Sequence, residues 1–153
     1  MSNPPFVDAA GQFFTLASGV ALNPLPKVSL HDHLDGGLRP QTIIDIAGEL
    51  DLDLPAADAH GLGEWFANQS DSVMQTAEGL ARVAREFVED LHRDGVIYGE
   101  VRWAPEQHGR RGLSLDEAVD AVQGGIEEGI ESVARAGGEM RMGQLVRAVG
   151  EGG

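Results

Sequence analysis

Pro26-Lys27-Val28-Ser29-Leu30-His31-Asp32-His33-Leu34-Asp35-Gly36-Gly37 is the stretch whose reading decides the fold. Its first eight residues read as a short strand and its last three as a turn. Side chains alternate along an extended strand, so Ser29, His31 and His33 are expected on one face and Val28, Leu30 and Asp32 on the other. Two imidazoles then converge on one point. A zinc-type ion takes neutral imidazole nitrogens, and a catalytic site adds further protein ligands and an open position for water.

Outward from the turn, Arg39-Pro40 opens a helix with proline in its first turn. Ile43, Ile46, Ala47 and Leu50 recur at helical spacing and form its buried stripe. From Asp51 to Ser72 the sequence is irregular and reads as a loop, with Glu64 to Ala67 as a short helical turn. Thr76 is expected to cap a second helix running to Asp94, with Leu80, Val83, Ala84, Phe87, Val88 and Leu91 facing inward and Gly95 ending it. Arg82 with Glu86 and Arg85 with Glu89 are expected i,i+4 pairs.

Val96 to Pro105 reads as a second strand, with Glu100 and Arg102 on one face and Ile97, Val101 and Trp103 on the other. Ser114-Leu115-Asp116-Glu117 is a capping box that opens a third helix to about Ala136. Gly124, Gly125 and Gly129 each weaken that helix by roughly 1 kcal/mol relative to alanine. Met140 to Val146 reads as a third strand.

Strand, helix, strand, helix, strand predicts an α/β fold with parallel pairing. At 153 residues the chain is too short for a complete eight-fold α/β barrel of about 250 residues. The expected architecture is a partial (β/α)8 TIM barrel made of its first three βα units, with an uncovered inner face. Residues 1–24 read as a lead-in carrying an apolar patch at Phe13, Phe14 and Leu16, residues 25–149 as the barrel domain, and 150–153 as a tail.

Composition narrows the function. Lys+Arg number 11 against 25 for Asp+Glu, and the formal charge of −14 disfavours nucleic acid and anionic membrane as partners. With no cysteine, any metal is held by histidine and carboxylate. No apolar run approaches the roughly 18 residues of a membrane span, and no secretory signal is visible, so the cytoplasm is the expected location.

At His31-Asp32-His33-Leu34-Asp35-Gly36 the chain resembles the adenosine deaminase family of the metal-dependent amidohydrolases. The resemblance extends from Leu25-Pro26-Lys27-Val28 through Tyr98, Glu100-Val101-Arg102 and Ala104-Pro105 to about residue 148. It implies that His31 and His33 bind one Zn2+, that His33 also borders the substrate, and that Asp35 binds the ribose hydroxyl of adenosine. It implies hydrolysis of adenosine to inosine and ammonia in purine salvage. The family's third histidine ligand, aspartate ligand, acid glutamate and second catalytic histidine come from later strands, so no catalytic acid or base is assigned here and the chain alone is expected to be inactive.

Two departures are expected to matter. An apparent internal deletion near 67–73 shortens the segment that covers the purine in relatives. The Val149-Gly150-Glu151-Gly152-Gly153 ending departs from the family and reads as a truncation.

Alternative readings are a phosphoesterase-type His-x-His hydrolase, which Leu34-Asp35-Gly36-Gly37 fits poorly, and a non-catalytic remnant whose open barrel edge self-associates or pairs with another chain. Asp32 is expected to hydrogen-bond locally, and Glu100 and Arg102, on one strand face, to form a structural ion pair, with lining a pocket as the alternative. His60, His92 and His108 are expected to face solvent, and Trp65 and Trp103 to pack.

Overall fold

The computed structural model describes residues 17–19, 21, 25–54 and 73–148. The apolar patch at Phe13 to Leu16, His60, Trp65, the expected turn at Glu64 to Ala67, residues 67–72 of the expected deletion and both domain boundaries lie outside the described residues. Strand β1 (Lys27–His33) leads through a 3-10 turn (Leu34–Gly37) into helix α1 (Pro40–Glu49). Helix α2 (Ala77–Arg93) feeds β2 (Val96–Trp103), a second 3-10 turn (Pro105–His108) follows, and helix α3 (Leu115–Arg135) leads into β3 (Arg141–Val146). The three strands form one parallel sheet in the order β1-β2-β3. The expected α/β architecture is the one observed, as three parallel strands with helices in the two connections between them; β3 is the last described element.

The helix ends follow their local chemistry. Pro40 stands in the first turn of α1, where its missing N–H is no loss. Thr76 caps α2 by accepting from the Gly79 N–H at 3.1 Å. Gly95 takes φ 83° just beyond the end of α2, a conformation glycine adopts without strain. Ser114 and Glu117 form the reciprocal capping box at the start of α3.

The helices gather over one face of the sheet. Leu80, Val83, Phe87 and Val88 of α2 meet Val122 and Ile126 of α3 and Val101 and Trp103 of β2 in one core. Gly125 and Gly129 have a packing role that periodicity did not reveal. A Cβ on Gly125 would lie 2.1 Å from the Ala81 carbonyl oxygen, and one on Gly129 2.7 Å from Cβ of Val88, so α2 and α3 touch backbone to backbone. A Cβ on Gly124 would meet nothing within 4 Å, and there the loss of helix propensity has no such return.

Arg39, the residue before α1, ties that helix to α2. It donates to Asp90 at 2.8 and 2.9 Å and to Glu89 at 3.1 Å. Glu89 is thus engaged by Arg39, whereas Arg82 does pair with Glu86 as expected.

The opposite face of the sheet is open. Val28 is 57 % exposed and Leu30 61 %, and Leu145, in register with Arg102, and Ile97 are exposed as well. Ile97 departs from the expectation that it shares the buried face of Val101 and Trp103. Lys27 pairs with Val96 and Val28 with Tyr98, so the register skips Ile97 and it turns outward. Among the described residues no helix is long and apolar enough to cross a membrane.

Candidate functional site

The second register shift in β1 builds the site. Ser29 pairs with Gly99 and Asp32 with Val101, which leaves Leu30 and His31 opposite the single residue Glu100. This is a β-bulge, and His31 absorbs it at φ 60°. A bulky residue in the left-handed region is strained by about 1–3 kcal/mol and persists only where its surroundings fix it.

The bulge corrects the simple alternation read from the sequence. Ser29 does not share the histidine face; its hydroxyl donates to Asp32 Oδ2 at 3.1 Å, and Asp32 Oδ1 accepts from the His33 N–H at 2.9 Å. Asp32 therefore bonds locally, as expected, and clamps the bulge. His31 and His33 stay together beyond it, with ring centroids 5.9 Å apart.

Both rings lie on the open side of the sheet. Arg102 stands between the buried Val101 and Trp103 and so points away from the helices, and its guanidinium reaches His31 Nε2 at 2.6 Å. The expected Glu100–Arg102 ion pair is not formed. Glu100 accepts from the Tyr98 hydroxyl at 3.0 Å, an interaction that holds the phenol pKa above its ordinary value.

Asp35 lies in the 3-10 turn after β1, anchored by the fully buried Leu34 beside it. Its Oδ1 is 3.7 Å from His33 Nδ1, near but beyond hydrogen-bond reach. His33 and Asp35 form one side of a cleft of about 240 Å³ whose other walls include Arg102, Trp103, Gln107 and Arg147. Gln75 fixes the turn that carries Gln107, donating to the Gln107 carbonyl and accepting from the Arg110 N–H, both at 2.9 Å.

Two histidines expected in solvent are placed otherwise. His108 is 2 % exposed; its Nδ1 lies 2.8 Å from the Met74 carbonyl and its ring 5.5 Å from that of Trp103. It is buried because residues 73–75 fold over the turn after β2. His92 is half-buried, with Nε2 against Gly138. Trp103 packs as expected and donates through Nε1 to Gln144 at 3.1 Å.

Arg102 lines the cleft, the less favoured of its two sequence readings, and its contact with His31 is the feature that reading did not contain. Its register position opposite His33 was the available signal, once β1 and β2 were taken as parallel neighbours. As a donor set, His31 and His33 fit two positions of a zinc-type shell. Among the described residues no group of three or more histidine, aspartate or glutamate side chains gathers to complete one.

The family model described as Adenosine deaminase matches residues 26–148. The chain is 48 % identical over 145 residues to an adenosine deaminase of Mycobacterium ulcerans, covering 84 % of this chain and 40 % of that protein. It thus spans about two fifths of the length of that curated relative. Among solved structures, the N6-methyl-AMP deaminase of Arabidopsis thaliana superposes with a TM-score of 0.68 at 25 % identity, covering 81 % of this chain and 40 % of that one. A zinc-bound amidohydrolase from Burkholderia ambifaria superposes with a TM-score of 0.66 at 20 % identity, covering 82 % and 36 %, a likeness of fold.

Proposed function

The chain belongs to the adenosine deaminase family, and from that membership we propose that it carries the first-strand limb of a zinc-dependent adenosine deaminase site. The family is one of deaminase-type hydrolases, and the reaction proposed is adenosine plus water to inosine plus ammonia, in cytoplasmic purine salvage. Water oxygen bonds to the purine carbon, the carbon–nitrogen bond breaks, and ammonia leaves.

His31 and His33 are the proposed metal ligands, and Asp35, with His33, the proposed nucleoside contact. A zinc ion bound there supplies an activated water able to attack an electron-poor ring carbon. The chain's own part is to hold two imidazoles side by side at a strand end and to offer a carboxylate to a ribose hydroxyl. No residue of the chain is proposed as the acid that protonates the ring.

The observation that carries this reading is the bulge at His31. It keeps both rings on the open face beside the cleft that Asp35 lines. A strained histidine maintained by a dedicated Asp32 clamp is better accounted for by a ligand role than by packing. The test is a chimera in which residues 26–146 replace the matching segment of the Mycobacterium ulcerans enzyme. Deamination of adenosine, abolished by His31→Ala or His33→Ala, is expected; a folded chimera that releases no inosine would overturn the proposal.

The exposed Val28, Leu30 and Leu145 support a second reading, in which another chain packs on the open face. Sedimentation of the 153-residue chain tests it, since a compact monomer at all concentrations would count against it.

A further inference from the structure

Arg102 brings a guanidinium nitrogen to 2.6 Å from Nε2 of His31. A guanidinium carries donors and no acceptor, so at that distance Nε2 turns its lone pair toward Arg102 and the ring proton resides on Nδ1. Coordination of a metal through the same nitrogen uses the same lone pair. The two cations exclude one another at that atom.

We propose that Arg102 is a gate on the metal site: its guanidinium holds His31 Nε2 and has to be displaced before a divalent ion binds there. The inference rests on the reading of His31 as a metal ligand and adds a residue that sets the affinity of that ligand pair. The displaced guanidinium has a destination close by. Arg102 is paired in register with His33 and already lines the cleft that holds the Asp35 carboxylate. Metal entry would thus move positive charge from the imidazole toward the carboxylate proposed to meet the nucleoside. Arg102 is a positioning residue in this account, because it acts through His31.

The test is zinc titration of the 153-residue chain by calorimetry at fixed pH, against a competing chelator. Arg102→Met removes the competing donor and its charge, and affinity is expected to rise about tenfold, the equivalent of one charge-assisted hydrogen bond. Arg102→Lys keeps a cationic donor and is expected to stay near the unsubstituted chain. Arg102→Leu, which likewise carries neither donor nor charge, supplies the same comparison if the methionine variant does not fold, as judged by circular dichroism.

A second readout needs no metal. The nitrogen-15 shifts of the His31 ring are expected to report the Nδ1–H tautomer in the unsubstituted chain and to lose that bias in Arg102→Met. Equal or weaker zinc affinity in a folded Arg102→Met chain would overturn the gate and leave the ligand reading standing. Zinc binding untouched by His31→Ala, or absent from every variant, would overturn the ligand reading and the gate with it.

Discussion

Ser29 Oγ donates to Asp32 Oδ2 at 3.1 Å across the bulge of β1, although strict alternation would set residues three apart on opposite faces. That bond, with the one from the His33 N–H to Asp32 Oδ1, holds the extra residue of the strand in place. The geometry of His31 and His33 is thus a product of the residue between them. Asp32→Ala removes both bonds and is expected to destabilise the chain by about 1–2 kcal/mol in urea unfolding while weakening zinc binding. Unchanged zinc affinity in this variant would show that the clamp does not set the site.

The backbone of His31 offers an independent check. At φ 60° glycine is relaxed and alanine is not, so His31→Gly is expected to be more stable than His31→Ala by about 1 kcal/mol. Elsewhere in a strand the order would be reversed. Equal midpoints in thermal unfolding would contradict the left-handed bulge.

The contact between α2 and α3 separates three neighbouring glycines by their surroundings. Gly125→Ala drives a methyl group into the Ala81 carbonyl, and Gly129→Ala drives one into Val88; each is expected to cost about 1–3 kcal/mol through overpacking. Gly124→Ala has open space and is expected to stabilise the chain by about 0.5–1 kcal/mol. Urea midpoints of the three variants check the ordering, and a destabilising Gly124→Ala would contradict it.

Acid sensitivity is expected to run through the Arg39 cluster. Burial pushes the Asp90 carboxyl up, but the hydrogen bonds and charge of Arg39, helped by Arg93, outweigh it and hold the group below the ordinary carboxylate value. A carboxyl depressed on folding contributes stability above its unfolded pKa of about 3.9 and loses that contribution as pH falls through the folded value. Arg39→Gln is therefore expected to lower stability at pH 6 and to flatten the loss of stability between pH 4 and pH 2. Parallel pH profiles for the two proteins would argue against this linkage.

Much of the fold was legible because local signals agreed with one another. Pro40, Thr76, Gly95 and the Ser114–Glu117 box each marked a helix end, and the apolar stripes named the core face. The bulge was not legible, since nothing in Leu30-His31-Asp32 signals a left-handed residue and alternation is the only pattern that a seven-residue strand offers. Ile97 was misplaced for the same reason, by a register skip that depends on pairing with β1. His108 was misplaced because its burial depends on residues 73–75, which are remote in sequence. At the site, His31 and His33 stood out as two imidazoles at a spacing and Asp35 through the family resemblance, whereas the contact of Arg102 with His31 depends on the pairing of the neighbouring strand.

The central claim is that His31 and His33 together hold a metal ion, and imidazole nitrogen-15 spectroscopy of the 153-residue chain during zinc addition tests it most directly. The account predicts that one ring nitrogen of His31 and one of His33 shift together and saturate at one zinc per chain, while His92 and His108 keep their shifts. Saturation without change at His31 and His33, or shifts at His92 or His108 in their place, would contradict it.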